Sequence, residues 1–118
     1  NKLDNSRIRM TDASGVSKNN LVSAEFITEF LKVNKDNAVL TRLPKPGEGT
    51  LTHRLLPINE NLRAKTGTLK DISSIAGYLT TKSGKNLVFC IMVNDMKLTD
   101  SDKKMLEDFI IREAYLRL

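Results

Sequence analysis

Seven consecutive residues, Leu87 to Val93, carry no charged or hydrogen-bonding polar side chain apart from a thiol. The run is far short of the ~20 residues that a membrane-spanning helix needs. Its β-branched and aromatic content, and the polar residues on either side (Lys85-Asn86 and Asn94-Asp95), read as a strand. A strand that is apolar at every position is predicted to be central in its sheet and covered on both faces. The rest of the chain must therefore supply partner strands and a layer for each face.

The partners lie just upstream. From Leu62 the hydrophobic period becomes two. Leu62 to Leu69 is predicted to be a strand, interrupted at Gly67. Ser74 to Thr81 is a second, rich in β-formers (Ile75, Tyr78, Thr80, Thr81). Lys82-Ser83-Gly84-Lys85 is a hairpin turn, with Gly84 available for positive φ. These make a three-strand antiparallel meander. Ser23 is a candidate N-cap for a helix whose Phe26, Ile27, Phe30 and Leu31 share one face, and Asn34 to Asn37 ends it. Ala38 to Leu43 is a short apolar piece that fits helix or loop, and Pro44 to Gly49 is a loop. Thr99 to Asp102 offers caps and first-turn acids for a last helix, with Met105, Leu106, Phe109 and Ile110 as its predicted core stripe. The fold class is α+β. Two helices and three strands are a thin covering for Leu87 to Val93. Residues 1–118 are therefore expected to be the C-terminal part of one domain, with more of it upstream.

Charge and composition narrow the function classes. The net charge is +5, from 19 Lys and Arg against 14 Asp and Glu. The basic residues are scattered, aromatics are 5% and there is no Trp, so a nucleic-acid surface is not expected. Cys90 is the one cysteine, which excludes an internal disulfide, and its place in the apolar run predicts a core thiol. His53 is the one histidine, too little for a structural zinc site, and no metal or cofactor is expected. The chain opens on Asn1-Lys2-Leu3-Asp4-Asn5, with no cleavable signal.

The chemistry is carried by Ala64-Lys65-Thr66-Gly67-Thr68-Leu69, on the first predicted strand. Lys-Thr-Gly is one of three signatures of penicillin-recognising acyl-serine enzymes, beside Ser-x-x-Lys and Ser-x-Asn. Alone, the tripeptide is also what any strand with a surface lysine looks like. The longer run from Ala64 to Thr81 resembles the Lys-Thr-Gly hairpin of the D-alanyl-D-alanine carboxypeptidase/endopeptidases, the class C low-molecular-mass penicillin-binding proteins. Asp12-Ala13-Ser14-Gly15-Val16-Ser17 resembles that family's Asp-Gly-Ser-Gly-Leu-Ser segment, with Ala13 in place of the usual Gly. Gly49-Thr50-Leu51 and Arg54-Leu55 resemble the Gly-Thr-Leu…Arg segment between the two. The resemblance runs in the family's order from about Asp12 to Val93.

That resemblance implies an antiparallel sheet flanked by helices, a periplasmic or other extracytoplasmic setting, and a peptidoglycan stem peptide as substrate. β-Lactams are implied partners of the full-length parent. It also implies the catalytic roles. Lys65 supplies positive charge for a substrate carboxylate and for proton transfer around the serine, and Thr66 offers a hydroxyl to the same carboxylate. Gly67 lets the ligand approach the backbone. The N–H of Thr68 donates to the oxyanion. Val16, Ser17 and Lys18, with Leu69 and Lys70, are the implied substrate-contacting residues.

Two spacings qualify the assignment. Ser17-Lys18-Asn19 has the form Ser-x-Asn, but in the family the catalytic Ser-x-Asn lies further upstream, so this segment is read as the substrate-side loop. Ser101-Asp102-Lys103-Lys104 has the form Ser-x-x-Lys, but it follows Lys-Thr-Gly and falls in the first turn of the last predicted helix. The expected nucleophile is thus outside residues 1–118, and the chain alone is expected to be inactive. Two other readings remain open at this point: a class A β-lactamase-like hydrolase, and a small basic α+β binding module without catalysis.

Overall fold

In the computed structural model, residues 23–69 and 71–118 are described. Helix α1 (Ala24–Val33) begins where Ser23 Oγ accepts the Phe26 N–H at 3.1 Å. This satisfies one of the donors that a first helical turn leaves unpaired. Leu31 is buried, Phe26 and Ile27 are half-buried, and Phe30 lies at the edge of the face. The ambiguous apolar piece forms a single 3₁₀ turn, Leu40–Arg42. Two further 3₁₀ stretches, Gly49–Leu51 and Leu56–Asn61, lead into the sheet.

Three antiparallel strands follow: β1 (Leu62–Leu69), β2 (Ile72–Thr80) and β3 (Asn86–Asn94), in the spatial order β1-β2-β3. Gly67 does not interrupt β1, because it pairs with Ser74 in an unbroken register from Leu62↔Leu79 to Leu69↔Ile72. The predicted hairpin forms between β2 and β3. Gly84 takes φ +90, its N–H donates to Thr81 O at 2.9 Å, and Thr81 N–H donates to Lys85 O at 2.8 Å.

β3 departs from expectation. It is an edge of the three-stranded sheet among the described residues, not its centre. Its apolarity on both faces has the expected cause, a layer on each face. Tyr78 donates its hydroxyl to Leu31 O of α1, while Ser73 donates its hydroxyl to Glu107 of α2 (Asp100–Arg117). Residues 73 and 78 differ by an odd number, so they point to opposite faces. The two helices therefore lie on opposite faces, and each packs on β3 as well as β2.

Helix α2 starts as the sequence predicts. Asp102 N–H donates to Thr99 Oγ1 at 3.1 Å, and Thr99 N–H donates back to Asp102 Oδ2 at 3.4 Å, a reciprocal capping box. Its facing differs. Met105, Leu106, Phe109 and Ile110, the predicted core stripe, are exposed, with Phe109 at 52%. The buried positions are Lys103, Glu107 and Ile111, spaced by four along one side of the helix. The main core joins Ile111 to Leu51, Leu55, Ile58, Leu62, Ala64, Ile75 and Leu79, with Leu87, Phe89, Ile91, Ala114 and Tyr115 packed against it. It lies between the sheet, α2 and the 49–61 segment. Pro44 covers the outer edge of β1 at Ala64, and the end of the strand at Gly67 and Thr68 is exposed.

Candidate active-site wall

Lys65, Thr66, Gly67 and Thr68 all lie on β1, the edge strand opposite β3. Which way their backbone points can be read from Ala64. Its N–H turns away from β2 and donates to Pro44 O at 2.8 Å. Backbone direction alternates along a strand, and the β1–β2 register has no bulge. The N–H and C=O groups of Thr66 and Thr68 therefore face the same outer side as those of Ala64. Neither N–H has a backbone acceptor there among the described residues. Two outward donors separated by one residue form a short open edge, the arrangement that accepts an extended peptide as an added strand.

The side chains divide between the faces. Thr66 and Thr68 share the α2 face with their register partners Ile75 and Ser73. Lys65 and Gly67 take the other. Lys65 is exposed, and its ammonium folds along the edge to donate to Thr66 O at 2.6 Å. It has no carboxylate partner among the described residues. At Gly67 an added Cβ would crowd one described atom, the rotatable Ser74 Oγ, at 2.8 Å. The fold itself barely requires glycine at that position. Leu69 ends the strand half-buried. Val16, Ser17, Lys18 and Lys70 lie outside the described residues.

The structure brings a further residue to this edge. The hydroxyls of Thr50 and Thr66 hydrogen-bond to each other, 16 residues apart in sequence. Thr50 sits in the Gly49–Leu51 turn. Gly49 at φ +53 permits this turn, Gly47 N–H to Leu51 O at 2.8 Å closes it, and the fully buried Leu51 side chain anchors it. The sequence singled out Gly49-Thr50-Leu51 as a segment but gave no indication of which residue it would touch.

Behind Thr68 lies a buried polar network, also absent from the sequence-based expectations. Ser73 Oγ donates to Glu107 Oε2 at 2.8 Å, and Arg54 Nη2 donates to Glu107 Oε1 at 3.0 Å. Glu107 is 0% exposed. Burial by itself would lower the pKa of Arg54, but hydrogen bonds to Asp108 and Glu107 and their negative charge outweigh it and hold the guanidinium above its ordinary range. The next residue, Leu55, adopts a left-handed backbone at φ +57 with its side chain in the core. Non-glycine residues keep that conformation only where the surroundings fix it. Here the Arg54 ion pairs and the Leu55 packing do so.

Elsewhere the chemistry is sparse. Among the described residues no group of three or more His, Cys, Asp or Glu could hold a metal ion. No helix among the described residues is long and apolar enough to cross a membrane. Ser101 is exposed in the first turn of α2, where the sequence places it. An open groove of about 780 Å³ lies at the other end of β1, lined by Arg63, Tyr78, Lys32 and Lys35 among others, and does not include the Lys-Thr-Gly residues.

A profile of the D-Ala-D-Ala carboxypeptidase 3 (S13) family matches residues 1–113. The chain belongs to this family. It is 31% identical over 104 residues to the D-alanyl-D-alanine carboxypeptidase DacB of Haemophilus influenzae, covering 80% of this chain and 22% of that protein. The crystal structure of penicillin binding protein 4 (dacB) from Haemophilus influenzae superposes with a TM-score of 0.78 at 24% identity, covering 98% of this chain and 29% of that one. The same protein complexed with a novel β-lactam gives 0.73 at 27% identity, over 89% and 28% of the two chains. The chain thus spans less than a third of the length of each of these relatives. The resemblance drawn from the Lys-Thr-Gly hairpin and the expected antiparallel sheet with flanking helices are both borne out.

Proposed function

We propose that residues 1–118 form the Lys-Thr-Gly wall of a serine-type D-Ala-D-Ala carboxypeptidase/endopeptidase that acts on peptidoglycan stem peptides outside the cytoplasm. The serine nucleophile comes from residues beyond these 118. The observation that carries the reading is the outer edge at Thr66 and Thr68, whose N–H groups have no backbone acceptor among the described residues, beside a Lys65 ammonium that has no carboxylate partner among them. Membership of the carboxypeptidase family supports it.

In this reading the stem peptide lies along β1 as an added strand. Its terminal carboxylate meets the Lys65 ammonium and the Thr66 hydroxyl. The serine oxygen attacks the penultimate D-Ala carbonyl, and the N–H of Thr68 stabilises the oxyanion that forms. Collapse expels the terminal D-Ala as an amine that takes up a proton, and water then hydrolyses the acyl-enzyme. A β-lactam carries a comparable carboxylate and acyl centre, and would acylate the same serine. Val16, Ser17, Lys18, Leu69 and Lys70 would contact the substrate beyond the scissile bond. The half-buried Leu69 at the end of β1 suits that position.

The test uses the full-length protein and a fluorescent penicillin. Lys65→Ala is expected to lower acylation at least ~10²-fold, the lower end of what one positioned electrostatic or proton-transfer group contributes. Lys65→Arg, which keeps the charge without the compact ammonium, is expected to fall between. Unchanged acylation in the Ala variant would overturn the reading. The 118-residue chain alone is expected to give no covalent adduct by intact mass. A stoichiometric adduct would place the nucleophile inside it, with Ser101 the first residue to replace.

A further inference from the structure

The Thr50–Thr66 contact has no counterpart in the roles so far assigned to this wall. Two hydroxyls that hydrogen-bond to each other use one proton between them and leave the other free. Among the described residues Thr50 Oγ1 has Thr66 Oγ1 as its hydrogen-bonding partner. If Thr50 donates, Thr66 Oγ1 is occupied as an acceptor and its own hydrogen must point elsewhere. That hydrogen is then free for another acceptor. Accepting a hydrogen bond also makes the Thr66 hydroxyl a better donor.

The carrier of Thr50 is unusually well held for a surface turn. Leu51, the next residue, is fully buried in the core. Thr52 N–H and Oγ1 both donate to Gly49 O, at 3.3 and 2.6 Å. Lys45 N–H donates to Glu48 Oε1 at 3.0 Å, and Pro44 O is tied to β1 through Ala64 N–H. Downstream, Arg54 is fixed on α2 by Glu107 and Asp108. A hydroxyl mounted this way can hold its partner's rotamer at a small entropic cost on ligand binding.

We propose that Thr50 is a positioning residue for the Lys-Thr-Gly strand: it donates to Thr66 Oγ1 and directs the Thr66 hydrogen at the terminal carboxylate of the substrate. The proposal rests on the reading of Lys65 to Thr68 as a substrate-binding edge. It deepens that reading by assigning carboxylate recognition to a hydroxyl pair from two segments.

The experiment compares variants of the full-length protein by the second-order rate of acylation, using benzylpenicillin and its methyl ester, which lacks the free carboxylate. Thr66→Val is expected to slow acylation by benzylpenicillin by about tenfold or more, the range for a hydrogen bond to a charged group. Thr50→Val keeps the shape and removes the donor. It is expected to cost about fivefold with benzylpenicillin and less than twofold with the ester. Thr50→Ser restores the rate. Thr50→Val in a Thr66→Val background costs nothing further, because the group it positions is gone. Losses that simply multiply in the double variant, or an equal loss with the ester, would overturn the positioning role. So would an unchanged rate in Thr50→Val. If Thr66→Val itself leaves the rate unchanged, the substrate-edge reading fails first. If Thr66→Val slows acylation while Thr50→Val does not, the positioning role fails alone.

Discussion

Arg54 grips Asp108 across 54 residues of sequence, with Nη2 donating to Oδ1 at 2.7 Å and Nε to the same oxygen at 3.1 Å. The same guanidinium reaches Glu107 at 3.0 Å, so one side chain ties the segment before β1 to the helix that closes the core. Glu107 is fully buried and Arg54 nearly so, its side chain 13% exposed. Such a pair contributes little net stability relative to a well-packed apolar replacement, but removing one partner strands the other charge.

Arg54→Leu is therefore expected to destabilise the fold by about 3–5 kcal/mol, the range for breaking a buried ion pair from one side. Arg54→Leu with Glu107→Leu is expected to cost less than Arg54→Leu alone, since no fully buried charge remains unpaired. Urea unfolding of the wild type and the two variants checks this through the midpoints at constant slope. A double variant less stable than Arg54→Leu would contradict it.

The two strand glycines are expected to behave oppositely. A Cβ at Gly77 would lie 2.0 Å from Arg63 O and 2.7 Å from Ala64 Cα, both backbone atoms of the neighbouring strand. Gly77→Ala must push β1 and β2 apart, at a cost of about 3 kcal/mol or more, the upper end for overpacking. Gly67→Ala meets the rotatable Ser74 hydroxyl and is expected to cost under ~1 kcal/mol. Thermal unfolding separates the two directly. On the proposed function, Gly67→Ala would nevertheless slow penicillin acylation of the full-length protein by obstructing approach to the strand.

Burial pushes the Cys90 thiol up to about 11. At pH 8 its thiolate is scarce, and alkylation by iodoacetamide is expected to be at least ~10-fold slower in the native chain than in urea. The sign of the stability effect follows from linkage. Between the ordinary thiol range near 9 and the native value, the unfolded chain releases its proton while the folded one keeps it. The stability that Cys90 contributes is thus complete below about pH 9 and falls as pH rises toward 11. Cys90→Ala is expected to flatten that part of the stability profile. A Cys90→Ala profile that falls as steeply as the wild type between those limits would assign the loss to other groups.

Much of the fold was legible in residues 62–94 because the signals there are local. Period-two patterning, Gly84 in a tight turn and β-branched residues act within a few positions of each other, and β1 and β3 emerged within one residue of their predicted ends. Ser23 and Thr99 were legible as caps for the same reason, since each serves N–H groups in its own first turn. The Lys-Thr-Gly run, with its neighbouring segments, also identified the family from sequence alone.

Three features needed the tertiary structure. The apolar run of β3 told that both its faces are covered, but not that it is an edge rather than the centre of the sheet among the described residues. The facing of α2 went against its own apolar stripe: Glu107 turns inward because Arg54 and Ser73 are there to satisfy it, while Phe109 stays exposed. Thr50 meets Thr66 only because the buried Leu51 and the Pro44–Ala64 hydrogen bond fix the approach of one segment to the other. A sequence displays each residue's own preference, and these three outcomes were set by partners tens of residues away, whose positions exist only once the chain has folded.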